Sequence, residues 1–447
     1  MSFGIAKGEM RAIINRMNPV MSKVTFHAPQ LGRAFAAALG KSARLDDDEI
    51  TEPWATALIN DAVQTRASDI HLDPQMDEIR VRFRIDGAVH EVASLPSKIG
   101  LRMLRYFKVA SNLDPAASLL PEDSHFQMEL DGKPLDIRVA CAPCVFGDKL
   151  AMRLLQRSAV KHRLAHLGLR EEDQAAIQAW LGDISGMLLV AGPVGSGKTT
   201  TLYALLAELH LAGRHIVTIE DPVEFQLEQV NQIEVNVKRG LTFERGLRSI
   251  LRLDPDYILL GEIRDKESAL VAMEAATAGR AVLTTMHSRS TAGVVTALRS
   301  LGAPNYEIAA SLAFIIAQRL VRKLCEQCRR LETPRKAELQ WLESLGEPIP
   351  DKAWHPVGCE HCAQTGYYGQ TGVFEVLPVD ERVYDFIVAG DDEHKLRQHL
   401  RAAGFRPLLR DGLEKAANGV TDLSELTRIG AQSYLDRAKR LQQTEAK

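Results

Sequence analysis

The 447-residue sequence predicts an α/β fold in two successive parts, a small domain on an antiparallel sheet and a larger one on a mainly parallel sheet covered by helices. Strict apolar alternation over residues 79–85, a similar segment ending near residue 157, and four apolar runs after residue 171 are the grounds for it. A chain of this length holds about two or three domains, each able to bury its own core. Hydrophobic residues at 45% and charged residues at 25% are ordinary globular values.

Residues 1–49 are expected to form an N-terminal arm. Residues 1–44 hold seven Lys or Arg against one acid, Glu9, and "DDDE" at 46–49 then reverses the sign. Such a stretch is either a solvated arm or a docking segment for a partner. Residues 50–157 read as the small α/β domain. Ile79, Val81, Phe83 and Ile85 alternate there with Arg80, Arg82, Arg84 and Asp86, so the three arginines share one exposed face. Asp86-Gly87 supplies a hairpin turn. "PLDIRVACAPCVFGDKLAMRLL" repeats the pattern, with a turn near Phe146-Gly147-Asp148.

A linker is expected at 158–170 and the larger domain at 171–320, with "GMLLVAG", "HIVTIED", "YILLGE" and "AVLTTMH" as its strands. Residues 321–375 read as loop-rich and 376–447 as a helical region. No stretch approaches the roughly 20 apolar residues needed to cross a bilayer, and the first residues lack the features of a signal peptide, so the expected location is the cytoplasm. The formal net charge is -3, from 55 basic and 58 acidic side chains, and gives no general attraction to nucleic acid.

The sharpest motif is "GPVGSGKTT", Gly192, Pro193, Val194, Gly195, Ser196, Gly197, Lys198, Thr199 and Thr200, between an apolar strand and a helix. Backbone N–H groups of such a loop wrap phosphates, Lys198 reaches the terminal ones, and Thr199 binds Mg²⁺. The strand "YILL" ends in Gly261-Glu262, where a nucleotide-binding strand usually ends in aspartate. Glu220, Asp221 and Glu224 of "TIEDPVEF" are therefore the candidates for holding Mg²⁺ through its waters. Glu262 is then free to orient the attacking water; the plainer alternative is a surface ion pair with Arg264.

His287 ends "AVLTTMH", where an imidazole can bond the γ-phosphate or a neighbouring carboxylate. Arg245, Arg248 and Arg252 fall on one helical face, either a solvated stripe or a set that neutralises phosphate across a subunit boundary. Cys325, Cys328, Cys359 and Cys362 form two C-x-x-C pairs with 30 residues between them, a spacing suited to a structural Zn²⁺ site. Cys141 and Cys144 lie in a strand and are expected to serve packing.

Taken together, "ASDIHLDP", "VRFRIDG", the P-loop, "TIEDPVEF", "GLTFERGLRSILRLDPD" running into "GEIRD", "TTMHS", the cysteine pairs and "QTGYYGQTGVFEVL" resemble the secretion ATPase superfamily. The resemblance is to the assembly ATPases of type IV pili and type II secretion, and spans about residues 50–435. It implies a PAS-like N-terminal domain, a RecA-like P-loop ATPase domain, the zinc segment and a helical C-terminal region. It further implies an ATP-driven homo-hexamer, peripheral to the inner membrane, that acts on a membrane platform protein. Glutamates matching Glu220 and Glu262 take catalytic roles in that family, and arginines matching Arg82, Arg84, Arg245 and Arg248 face the nucleotide. "LLPEDSHF" departs from the family, with Ser124 and His125 where Gly and Arg are common. The four knuckle cysteines favour the assembly branch over a retraction ATPase, and the near-neutral charge opposes a RecA-like nucleic-acid translocase.

Overall fold

The computed structural model describes residues 24–28, 32–41, 51–155, 163–183, 185–209 and 213–430. The chain divides into two compact units, residues 1–157 with 325–329 and 356–369, and residues 158–324 with 330–355 and 370–447.

The first unit is built on seven strands, β1 (Thr25–Phe26), β2 (Ala67–Pro74), β3 (Glu78–Ile85), β4 (Ala88–Pro96), β5 (Glu122–Leu130), β6 (Lys133–Cys144) and β7 (Gly147–Leu155). Their order is β1-β4-β3-β2-β7-β6-β5. Antiparallel pairing joins β2 to β3 and to β7, and β6 to its two neighbours. The alternation in β3 buries Ile79, Val81, Phe83 and Ile85 as expected. Asp86 and Gly87 both take positive φ, the two-residue turn that matches strand twist. Helices α1 (Arg33–Lys41), α2 (Thr51–Gln64) and α3 (Ser97–Ala110) complete this unit. Trp54, Leu58, Ile99, Met103 and Phe107 from the last two share a core with Ile70, Val81, Phe83, Val139 and Met152 from the sheet.

Part of the basic arm is neither solvated nor free for a partner, since Phe35 and Leu39 of α1 join the same core. Asp61 of α2 accepts the N–H groups of Ala34 and Phe35 at 3.0 and 2.8 Å, which caps α1. Burial nevertheless outweighs those bonds and pushes the Asp61 carboxyl up to about 6. Residues 1–23, 29–31 and 42–50 lie outside the described residues.

In the second unit a seven-stranded sheet runs β10-β9-β11-β12-β8-β13-β16. The strands are β8 (Gly186–Ala191), β9 (Ile216–Glu220), β10 (Asn231–Glu234), β11 (Tyr257–Leu260), β12 (Ala281–Met286), β13 (Leu312–Leu324) and β16 (Tyr367–Pro378). Pairings from β10 through β13 are all parallel. Strands β9, β11 and β12 are buried at every position, which is why their sequences are mostly apolar. Helices α4 (Glu171–Asp183) and α5 (Lys198–Glu208) contribute to the core on one face. Helices α6 (Phe243–Ile250), α7 (Lys266–Thr277), α8 (Thr291–Ser300) and α9 (Asn305–Ser311) contribute to the other.

The segment expected to be loop-rich is more regular than that. Strand β13 runs on to Leu324, and β14 (Arg330–Glu332), α10 (Lys336–Leu345), β15 (Ala353–His355) and most of β16 fall within 321–375. Trp341 and Leu342 of α10 pack against Val321, Val373, Leu408 and Leu426, contacts that local composition does not announce. Helices α11 (Glu381–Val388), α12 (Glu393–Ala402), α13 (Leu408–Ala417) and α14 (Leu423–Arg428) follow β16.

One buried ion pair organises the far side of the first unit. The Lys108 ammonium is fully buried and donates to Asp148 at 2.8 Å, to Ser118 at 3.1 Å and to the carbonyl of Ala116. Lys108→Ala is expected to leave the Asp148 charge buried without its cation and to cost about 3–5 kcal/mol. Urea denaturation of the full chain, with the unfolding of residues 51–155 followed by hydrogen exchange, measures it.

Candidate nucleotide site and cysteine cluster

The P-loop lies between β8 and α5, with glycines where the backbone must turn or come close. Gly195 and Gly197 take φ of 75° and 85°, a left-handed region costly for other residues. At Gly192 a Cβ would meet Ser196 Oγ at 2.3 Å and the carbonyl of Gln318 at 2.7 Å, so no larger residue fits. Lys198 Nζ turns back into the loop and donates to the carbonyls of Gly192 and Pro193 at 3.0 and 3.2 Å. Burial, with Arg319 nearby, holds its pKa below the ordinary lysine value. The buried Ser196 hydroxyl has no hydrogen-bond partner. An orphaned hydroxyl, an inward-turned lysine and a helix N-terminus at one loop fit a phosphate chain.

Three more strand ends lie beside this loop. The Gly261 N–H donates to the carbonyl of Ile219 at 2.8 Å, which sets the end of β11 against that of β9. A Cβ on Gly261 would stand 3.3 Å from that carbonyl and 3.4 Å from Glu220 Cα, a tight fit at the strand end. The next residue, Glu262, is half-buried and pairs with both Arg264 and His287, the latter at 3.3 Å. Glu262 has the Arg264 ion pair of the plainer alternative, and it sits at the strand ends. Arg264 in turn reaches Asp221 at 3.1 Å.

His287 follows the last strand residue, Met286, rather than ending the strand. Burial and the charges of Lys198 and Arg264 lower its pKa against a backbone hydrogen bond with Gly192, so the ring is neutral at pH 7. A neutral ring can donate to Glu262 through one nitrogen. Glu220 lies deeper than expected. Its Oε1 accepts from Thr218 at 2.6 Å and from Gln232 at 3.2 Å, and its Oε2 from Tyr203. Asp221 is exposed and Glu224 half-buried on the loop that follows.

Arg245 and Arg248 lie on the surface of α6, bonded to the carbonyl of Gly240 and to Glu244, both at 3.1 Å. Arg82 and Arg84 belong to the first unit, where they pair with Asp73 at 2.5 Å and Asp69 at 3.4 Å. Gln318 is a site residue that motif reasoning missed. Its amide donates to the Ser196 carbonyl at 2.7 Å and accepts from Thr201 at 2.9 Å, pinning both ends of the P-loop turn to β13. The available signal was one glutamine inside the apolar run "LAFIIAQRLV".

The thiols of Cys325, Cys328, Cys359 and Cys362 all lie within 4.8 Å of one another. Burial pushes Cys325 up to about 12. At Cys362 burial is outweighed by the N–H groups of Cys359 and Gly366, which bring the thiol down to about 7 and supply a ready thiolate. Four converging sulfurs with backbone donors around them fit a closed tetrahedral Zn²⁺ site. Cys141 is buried, as packing requires, whereas Cys144 is exposed.

The type II/IV secretion system protein family matches residues 44–428. The chain belongs to this family. It is 38% identical over 387 residues to the type II secretion system protein E of Aeromonas hydrophila, covering 86% of this chain and 76% of that protein. It is 37% identical over 391 residues to the type IV pilus assembly ATPase PilB of Acinetobacter baylyi, covering 86% and 67% respectively. In fold it resembles the Legionella pneumophila ATPase DotB, with a TM-score of 0.63 and 20% identity over 84% of this chain and 95% of that one.

Two measurements test the site. Gln318→Leu should cut the links to Ser196 and Thr201 and weaken ADP binding about tenfold, read by isothermal titration calorimetry. Purified protein should carry about one zinc per chain, and Cys362→Ser should lose it, read by elemental analysis with thiol alkylation as the control.

Proposed function

We propose that this chain is a hexameric motor that uses ATP hydrolysis to assemble type IV pilus or type II secretion pseudopilus subunits through an inner-membrane platform protein. The chain is an ATPase: its P-loop is complete, a strand-end glutamate shares a histidine with that loop, and a named pilus assembly ATPase is among its relatives. The observation that carries the site assignment is the Glu262–His287 contact beside Gly192.

In this reading the triphosphate lies along the loop N–H groups, and Lys198 exchanges the Gly192 and Pro193 carbonyls for the terminal phosphates. Glu262 accepts a hydrogen bond from water and aligns it with the γ-phosphorus, while neutral His287 holds Glu262 in place. The water oxygen bonds to phosphorus as the bond to ADP breaks. Thr199, exposed at the start of α5, would hold Mg²⁺, with Asp221 and Glu224 reaching it through water. Bound there, Mg²⁺ neutralises charge on the phosphate oxygens. Glu220 belongs to the catalytic set through the loop it anchors.

Assembly is favoured by the tetracysteine cluster and by relatives named for type II secretion and pilus assembly. The division into a PAS-like domain at 50–157, a linker at 158–170 and a RecA-like domain at 171–320 is part of the proposal. So are the zinc segment at 321–375 and the helical region at 376–447. The same holds for phosphate neutralisation by Arg82, Arg84, Arg245 and Arg248 within a ring. Among the described residues no helix is long and apolar enough to cross a membrane, which accords with attachment through a partner.

Glu262→Gln tests the reading, since it keeps size and hydrogen bonding but removes the charge. Turnover should fall by about 100-fold or more with KM for ATP little changed. In the source organism surface pili, or the exported substrate, should disappear. Lost turnover with pili that persist or accumulate would point to retraction instead.

A further inference from the structure

Glu220 is the only member of the expected catalytic set whose carboxylate is closed off from solvent, and the donor on its Oε2 comes from the P-loop helix itself. Tyr203 sits on α5, five residues after Lys198, and its ring is buried. Its hydroxyl donates to Glu220, and the backbone N–H groups of Phe225 and Glu224 lie close enough to act on it. Burial and the Glu220 charge raise its pKa, so it remains a donor across the working pH range.

The loop after β9 is tied to the same carboxylate a second time. Gln232 of β10 donates to Glu220 at 3.2 Å and to the Phe225 carbonyl at 3.0 Å, and it accepts the Leu227 N–H at 2.7 Å. The Phe225 ring meets Tyr203 edge-on, with centroids 6.3 Å apart. Packing alone would be served by phenylalanine at position 203. The hydroxyl is the one group that joins helix, strand end and loop.

We propose that Tyr203 is a positioning residue that couples the P-loop helix to the loop bearing Asp221 and Glu224, by way of the Glu220 carboxylate. A change at the phosphates is felt first at Lys198 and Thr199, at the start of α5. Because an α-helix moves as a rigid rod over a turn or two, the displacement reaches Tyr203 undiminished. Tyr203 then shifts Glu220 and the Glu224–Phe225 backbone together, and the exposed Asp221 follows. This role rests on the ATPase reading and names the residue through which that site senses what it holds.

Tyr203→Phe is the test, because it keeps the ring and removes only the hydroxyl. Hydrogen exchange of residues 221–230 should slow in the wild type when ADP is added. In the variant these residues should exchange faster and no longer respond to ADP, while ADP still binds by calorimetry. Its kcat should drop about tenfold or more with KM for ATP within about threefold, the pattern of a group that acts on the reacting geometry rather than on binding. Thr218→Val removes a different donor from Glu220 without touching the helix, and should leave the exchange response intact. Either a preserved response to ADP or wild-type kcat in Tyr203→Phe overturns the proposal. Wild-type protein that binds ADP but releases no phosphate would sink the ATPase reading instead, and leaves the exchange comparison readable.

Discussion

A loop that turns back against its own strand ends has no space for side chains at its closest points, and this constraint orders the larger unit. Strand β8 lies between β12 and β13, so the turn that follows it is crowded from both sides. Gly192 meets that crowding directly, hemmed in by Ser196 and by the Gln318 carbonyl. Gly261, after β11 and two strands from β8, lies close against the carbonyl of Ile219. Glycine at position 261 suits how closely β9 and β11 end together. The nearest carboxylates are instead Glu262, one residue on, and Glu220 at the end of β9.

The buried charges at the centre of each unit are answered nearby, which is what low-dielectric surroundings demand. Glu220 has three donors, Glu262 has a cation and an imidazole, and Lys108 has Asp148. The arginine face of β3 is no exception. Arg84 and Arg153 flank Asp69, and Arg82 and Lys149 flank Asp73. Pairing of that kind tempers the positive face read from alternation alone, in keeping with a chain whose overall charge offers nothing to a polyanion.

The cysteine cluster has surroundings that its spacing does not reveal. Residues 356–369 group with residues 1–157, although some 200 positions of sequence separate them. Tyr368 is stacked on the His361 ring at 4.3 Å and lies under the Arg66 guanidinium at 3.7 Å. Asp86, in the β3–β4 turn, accepts from both Arg66 and the Gly369 N–H at 3.0 Å. A metal bound by the four thiols would therefore also fix groups that hold a hairpin in the first unit.

The sequence by itself determined much of the protein: the alternating strands, the Asp86-Gly87 turn, the buried parallel strands, the P-loop and the four-thiol set. Each of these is written in local periodicity or short spacing, because a strand face, a tight turn or a chelating pair is satisfied within a few residues. Regular structure inside 321–375 was not legible, since short elements of three to ten residues take their order from distant apolar partners such as Leu408 and Leu426. Nor was the environment of Glu220, whose donors come from positions 203, 218 and 232. The tertiary structure decided which carboxylate is enclosed and which is open, that Gln318 braces the P-loop, and that the arm helix joins the core. Those outcomes depend on which groups lose water together, and only the packed chain settles that.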